Sequence, residues 1–209
     1  MLKGLLSAAI AGCVVLSAQA QTSPLKSYVD PQYGVSFQYP AEWKLDNGLG
    51  FYLGTQILLN PEGSSKGPDK ARAIVGFDRK LNAEGQYPDG VNLTGVEFVY
   101  LVLPKTDAAH CYARLGADAN GWKRSQVVIA GVTYRRVQGG DAGLGHGATR
   151  DLYGTFREGR CYLFEGDIHT TTGDNPKFLT GAPLQKLEGQ IAAVMQSVRL
   201  GDDKVGLKR

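Results

Sequence analysis

The sequence predicts an α+β fold in which helices pack on the faces of an antiparallel β-sheet. Aromatic and β-branched residues predict a β-hairpin over residues 148–170, and an apolar stripe predicts a helix over residues 183–198. The chain also has 28 glycines, which are typical of a sheet-rich fold with many turns. We therefore expect a single domain built on one extended sheet.

The first twenty residues have the pattern of a secretory signal peptide. Lys3 precedes an apolar run at residues 5–16, and residues 18–20 form a small-x-small cleavage pattern. The apolar run is shorter than the roughly 20 residues that a membrane span needs. We expect cleavage after Ala20 and export to the periplasm or the outside of the cell.

A lipid anchor is the alternative form of export. Residues 10–13 match the pattern that precedes a lipid-modified cysteine in bacterial lipoproteins, with Cys13 as the modified residue. The apolar run continues beyond Cys13 to Leu16, where a lipoprotein would normally become polar. The pattern therefore favours a cleaved signal peptide over a lipoprotein.

Cleavage leaves 189 residues, a length that suits one domain at residues 21–200 followed by a polar tail at residues 201–209. The mature chain has 22 basic and 20 acidic residues, a net charge of +2, and no basic block. This balance indicates neither nucleic acid nor an anionic membrane surface as a partner. No second apolar run approaches membrane length, so we expect no transmembrane segment.

Two cysteines remain after cleavage, Cys111 and Cys161, separated by 50 positions. An even pair in an oxidising compartment is most simply explained by a disulfide bond. A reactive or metal-binding thiol is the alternative, but no CxxC spacing supports it. If the bond forms, it ties the 148–170 hairpin to the segment around Cys111.

Strands, loops and one capped helix are predicted before the central hairpin. Strand patterns occur at residues 35–39, 48–60, 71–77 and 95–103, with a loop at 61–70. The strand at 95–103 is largely apolar on both faces, which indicates a central position in the sheet. Thr106 and Asp107 are suited to cap a short helix at residues 105–115.

A second hairpin is predicted at residues 125–137, with its turn at Ala130-Gly131. The glycine-dense residues 138–147 follow and lead into a strand. A phosphate-binding loop would need a helix N-terminus at this point, so we interpret residues 143–147 as a flexible loop.

The central hairpin turns at Glu158-Gly159. A two-residue loop pairs Tyr153 with Phe164 and Arg150 with Asp167, which gives an aromatic pair and an opposite-charge pair. A three-residue loop would instead place two like charges opposite each other. We therefore predict the two-residue register, in which one face is apolar and the other becomes polar towards the open end.

Residues 183–198 form the clearest helix pattern. Pro183 suits the first helical position, and apolar residues recur at spacings of three and four. A single helix cannot bury its own apolar stripe, so we expect this one to cover a face of the sheet.

Two stretches of the sequence resemble the PsbP-like family. They are residues 28–43, which include Tyr33-Gly34 and Tyr39-Pro40, and residues 191–200 at the end of the helix. The middle of the chain is similar to uncharacterised exported bacterial proteins of that build. The resemblance implies an α/β/α sandwich with a short final strand, and it brings no catalytic motif. Members of the wider family include an extrinsic subunit of photosynthetic water oxidation and bacterial envelope proteins of unknown role.

Polar residues at the open end of the hairpin form the candidate ligand or metal site. Its residues are His146, Arg150, Asp167 and His169, with Glu165 nearby. Imidazole and carboxylate groups are ordinary ligands of divalent metals, and Asp167 and His169 share a strand face. The competing interpretation is an Arg150–Asp167 ion pair with a solvated histidine at the end of the sheet.

The sequence contains no nucleophile elbow and no further acid/base pair, so it identifies no catalytic residues and leaves an enzymatic role unsupported. We expect a non-enzymatic accessory or binding domain of the bacterial envelope, whose partner is an envelope protein or a small ligand. No cofactor is expected under this hypothesis. The alternative hypothesis is a metal- or small-ligand-binding protein with a divalent metal at the candidate site. This alternative includes an enzymatic role.

Overall fold

The computed structural model describes residues 24–46, 70–80, 82, 89–116, 121–143, 146–171 and 179–201. The predicted signal peptide, the strand predicted at 48–60, nearly all of the loop at 61–70 and nearly all of the tail at 201–209 lie outside the described residues.

The described residues form ten strands and two helices. In chain order these are β1 (Leu25–Asp30), β2 (Val35–Pro40), β3 (Lys44–Asp46), β4 (Ala73–Asp78), β5 (Leu93–Pro104), α1 (Ala108–Ala113), β6 (Lys123–Ile129), β7 (Val132–Gly143), β8 (His146–Arg157), β9 (Arg160–Thr171), α2 (Gly181–Gln196) and β10 (Arg199–Leu200).

The strands form two antiparallel sheets. The larger sheet has seven strands in the order β3-β4-β5-β9-β8-β7-β6, and the smaller has the order β1-β2-β10. β5 lies between β4 and β9, as its two apolar faces predict. The architecture confirms the predicted α+β class, whereas the second sheet was not predicted.

The β8–β9 hairpin has the predicted two-residue turn. Glu158 and Gly159 have φ angles of 49° and 73°, as a turn between two tightly paired strands requires. The predicted pairs, Tyr153 with Phe164 and Arg150 with Asp167, are both confirmed. The register therefore places alternate residues of β9 on the predicted faces.

Each face of the larger sheet has its own core. On one face, α2 and the smaller sheet cover a core in which Phe98, Tyr100 and Phe164 stack. On the other face, α1 covers a smaller core that includes Leu115 and Leu163. Helices thus pack on both faces of the sheet, as predicted.

Helix α2 buries Ile191, Val194 and Met195 against the sheet, which confirms the role predicted for its apolar stripe. The N-terminal cap of α1 is Asp107, which accepts a hydrogen bond of 2.8 Å from the backbone amide of His110. Neither helix of the described chain is long and apolar enough to cross a membrane.

The glycine-rich segment is extended rather than a loop. Residues 138–143 continue β7, and His146 and Gly147 begin β8, with Gly143 paired to His146. The interpretation of residues 143–147 as a flexible loop was therefore wrong for the part that the structure describes. Glycine is compatible with this arrangement because it allows backbones and large side chains to approach: a Cβ on Gly140 would lie 2.7 Å from the carbonyl oxygen of Ala148.

Candidate functional site

The disulfide bond joins α1 to β9. Cys111 and Cys161 are bonded, their Cα atoms are 5.3 Å apart, and both side chains are fully buried. The predicted pairing is confirmed. The bond fixes the short helix α1 over the turn end of the β8–β9 hairpin, and the polar residues lie farther along the same face.

Strand β9 changes from apolar to polar along this face. Leu163 is followed at alternate positions by Glu165, Asp167 and His169, and alternate residues of a strand point to the same side. All three polar residues are at most 4% exposed. The sheet therefore carries ionisable groups in its interior, where an unpaired charge is costly.

Asp167 belongs to a row of directly paired residues that crosses five neighbouring strands. In spatial order the residues of this row are Gly76 on β4, Glu97 on β5, Asp167 on β9, Arg150 on β8 and Gly139 on β7. The charged residues occupy the three middle positions. The row continues past Gly76 to the exposed Lys44 on β3, and the ring of Trp122 fills the space where a Cβ of Gly139 would lie.

The distances define a buried cluster around Asp167. Nε2 of His169 lies 3.0 Å from Oε1 of Glu97 and 3.8 Å from Oδ2 of Asp167. Nε of Arg150 lies 3.5 Å from Oδ1 of Asp167 and 3.8 Å from Oε1 of Glu165. We refer to these five residues, Glu97, Arg150, Glu165, Asp167 and His169, as the buried charge cluster.

Asp167 lies at the centre of this cluster, and its carboxylate is completely enclosed there. Its contacts with Arg150 at 3.5 Å and with His169 at 3.8 Å are too long for good hydrogen bonds. Burial raises the pKa of Asp167 well above its usual range, and the charge of Glu165 acts in the same direction, against the effect of Arg150. Either a proton or a bound cation would neutralise the buried negative charge of this carboxylate.

Glu97, Asp167 and His169 have the arrangement of metal ligands. One donor atom from each residue can be chosen so that all three lie within 4.8 Å of one another. Two carboxylates and an imidazole are an ordinary ligand set for a divalent cation. Since all three residues come from the adjacent central strands β5 and β9, the sheet itself holds them in place.

The structure brings together three of the four predicted site residues. Arg150, Asp167 and His169 belong to the buried charge cluster, whereas His146 is exposed at the end of β8, opposite Thr171. His169 is 4% exposed, so the expectation of a solvated histidine was wrong. Arg150, Asp167 and His169 thus lie inside the protein, whereas His146 at the very end of the hairpin is exposed.

Sequence reasoning missed Glu97 as a site residue. The available signal was a glutamate in the middle of a strand whose two faces are otherwise apolar, since a buried carboxylate needs a partner. The pairing of Glu97 with Asp167 depends on which strand lies beside β5. Local sequence patterns do not specify that choice.

A groove of about 610 Å³ lies between α2 and strands β7 and β8. One acidic and one basic residue of its lining pair with each other: Asp151 accepts hydrogen bonds from Arg136 at 2.7 and 2.6 Å and from the hydroxyl of Tyr153 at 2.7 Å. The groove has room for a small molecule, but its central carboxylate is already satisfied, unlike Asp167.

No protein-family model and no curated protein matches the sequence. Solved structures do resemble it. The solution structure of cyanobacterial PsbP from Synechocystis has a TM-score of 0.41 and 13% identity, and the match covers 91% of this chain and 100% of that protein.

Two crystal structures give similar values. A protein from Bacteroides thetaiotaomicron has a TM-score of 0.42 and 12% identity over 86% of this chain, which spans 49% of that protein. LpqN from Mycobacterium tuberculosis, described as involved in cell envelope biogenesis, has a TM-score of 0.41 and 10% identity, with 87% and 88% of the two chains covered.

Proposed function

We propose that this chain is an exported bacterial envelope protein that binds a divalent cation through Glu97, Asp167 and His169. The observation that carries the proposal is Asp167, a fully buried carboxylate whose contacts with Arg150 and His169 are too long for good hydrogen bonds and which lies beside an imidazole and a second carboxylate. A cation at this point would add positive charge to that of Arg150, which lies 3.5 Å from Asp167 in a cluster with two further carboxylates.

The burial of the cluster favours a binding role over catalysis. Arg150 is 5% exposed and His169 is 4% exposed, while Glu97, Glu165 and Asp167 are completely buried. A catalytic metal must contact its substrate and keeps an open coordination position, whereas a structural metal is enclosed by protein. The cation would therefore bind as the chain folds and would stabilise the folded state.

Export is supported by two features of the chain. Residues 1–20 have the pattern of a signal peptide, and the buried Cys111–Cys161 bond is of the kind that forms in oxidising compartments. The envelope role includes contact with a partner protein or small ligand at the surface, for which the groove beside α2 offers a location.

Cation binding can be tested on protein isolated after export in a bacterial host. The protein is unfolded with a denaturant in the presence of a chelator, without reducing the disulfide. It is then refolded with or without equimolar divalent cation. We expect native mass spectrometry to detect one bound cation in the wild type and none in Asp167→Asn. Asp151→Asn removes a hydrogen-bonded carboxylate of the groove and should keep the cation. A wild type without cation would overturn the proposal.

Export has a separate test, because the N-terminus of the protein recovered from the envelope records its processing. Mass spectrometry should find Gln21 as the first residue after cleavage behind Ala20. A lipid-modified Cys13 at the N-terminus would show the lipoprotein form, which is also exported. Unprocessed protein retained in the cytoplasm would overturn the export part of the proposal.

A further inference from the structure

The proposed cation site contains a nitrogen donor at its centre. Nε2 of His169 lies within 3.8 Å of an oxygen of both Glu97 and Asp167. Ca²⁺ and Mg²⁺ bind oxygen ligands, whereas imidazole is an ordinary ligand of Zn²⁺ and other first-row transition metals. The donor chemistry therefore favours the second class of cation.

The spacing of the donors is close to that of a small tetrahedral ion. Zinc ligands at 2.0–2.1 Å from the metal are roughly 3.3–3.4 Å apart in a tetrahedron. The two separations from Nε2 of His169, 3.0 Å to Glu97 and 3.8 Å to Asp167, lie on either side of this value, and the donor atoms of Glu97 and Asp167 lie within 4.8 Å of each other. Shifts of a few tenths of an ångström would equalise the two separations from Nε2.

The surroundings of the site do not suit a hydrated or highly coordinated ion. Mg²⁺ retains several of its waters, and Ca²⁺ takes about 6–8 oxygen ligands. Here the ligands are completely or almost completely buried, and the neighbouring cross-strand row places Glu165 between Val99 and Leu152, two buried apolar residues. A cation of low coordination number, bound mainly by protein, fits this interior.

The charges of the cluster match a divalent ion. Glu97, Glu165 and Asp167 carry three negative charges when ionised, Arg150 carries one positive charge, and a metal-bound His169 is neutral. Two negative charges remain, which one divalent cation cancels. Arg150 lies between Glu165 and Asp167, so it supplies the remaining counter-charge on the side away from His169.

We infer that the site selects a first-row transition-metal dication, with Zn²⁺ as the representative ion, over Ca²⁺ and Mg²⁺. The inference rests on the proposed function and specifies its ligand. Glu97 and Asp167 contribute carboxylate oxygens and His169 contributes Nε2, with its proton on Nδ1. Arg150 and Glu165 remain an adjacent pair that balances the charge.

The test is a refolding competition on the full exported protein with its disulfide intact. The chelated, unfolded chain is refolded with equimolar Zn²⁺ in the presence of a 100-fold excess of Ca²⁺ and Mg²⁺, and its bound metal is measured by native mass spectrometry. We expect one Zn²⁺ per chain. Binding of Ca²⁺ or Mg²⁺ in preference to Zn²⁺ would overturn this inference and leave the proposed function intact. No bound cation under any condition would overturn both.

Two histidine variants distinguish the loss of the nitrogen donor from a general loss of folded structure. His169→Gln removes the nitrogen donor and should lower Zn²⁺ occupancy at least tenfold. His110→Gln changes an exposed histidine that also lies beside a carboxylate, 2.6 Å from Asp107, and should leave occupancy unchanged. Equal Zn²⁺ occupancy in the two variants would contradict the assignment of His169. If His169→Gln does not fold, the wild-type competition still decides the inference.

Discussion

Nε2 of His169 lies 3.0 Å from Oε1 of Glu97, across the pairing of β9 with β5. The two residues are 72 positions apart, and both side chains are buried. This contact links the hairpin that carries most of the candidate site to the central strand of the sheet. A site assembled in this way depends on the correct pairing of the two strands.

The energetic link between Glu97 and His169 can be measured by a double-mutant cycle in the presence of chelator. We expect Glu97→Gln and His169→Gln each to lower the free energy of unfolding by about 1–3 kcal/mol, because each leaves a buried polar partner unsatisfied. The double variant should lose less than the sum, with a coupling of about 0.5–3 kcal/mol. Urea unfolding gives the three values.

The exposed pair Asp107 and His110 is the control for this cycle. Water screens exposed charges, so the same type of contact should couple more weakly there. Additive effects of Glu97→Gln and His169→Gln would contradict a direct interaction in the folded protein.

Removal of the disulfide should lower stability strongly. For a closed loop of about 50 residues, the chain-entropy model gives roughly 4 kcal/mol, so we expect the variant with Cys111→Ala and Cys161→Ala to lose about this amount in urea unfolding. The reduced wild type should behave like the double variant. Thiol labelling of both cysteines in the unreduced, denatured protein would show that the bond is absent.

A methyl group on Gly166 should push α2 away from the sheet. A Cβ at this position would lie 2.2 Å from Cγ2 of Ile191, so Gly166→Ala should cost about 1–3 kcal/mol through overpacking. Gly189, in the same helix as Ile191, has nothing within 4 Å of a Cβ position. Gly189→Ala should therefore stabilise the protein by up to about 1 kcal/mol, because alanine favours the helix.

Thermal or urea unfolding of these two glycine variants tests the packing of α2. Opposite signs of the two changes support the observed contact. A neutral Gly166→Ala would mean that Ile191 does not lie against β9 as described.

The turn between β6 and β7 should be improved by asparagine. Ala130 has a φ angle of 49° and is followed by Gly131 at 79°, and Asn-Gly is the favoured pair for such a turn. We expect Ala130→Asn to raise the free energy of unfolding by several tenths of a kcal/mol, up to about 1 kcal/mol. The same change at the exposed strand residue Thr133 should give no gain, since asparagine is depleted in strands. Equal effects at the two positions would contradict the turn geometry.

Much of the local structure was predictable because short-range rules determine it. The turn at Glu158-Gly159 and the charge pairing of Arg150 with Asp167 together specified the register of the β8–β9 hairpin. The apolar spacing of residues 183–198 predicted a helix that covers the sheet. The disulfide bond was predictable because the mature chain has a single pair of cysteines, and such a pair in an oxidising compartment is most simply bonded.

The candidate site was only partly predictable for a physical reason. The sequence placed Asp167 and His169 on one strand face, since side chains alternate along a strand. It did not place Glu97 beside them, because strands that are distant in the chain pair according to the packing of the whole sheet. Burial was also decided by the tertiary structure: the sheet and its covering layers enclose Arg150, Asp167 and His169. This burial turns the polar part of the hairpin into a site whose charges require a partner.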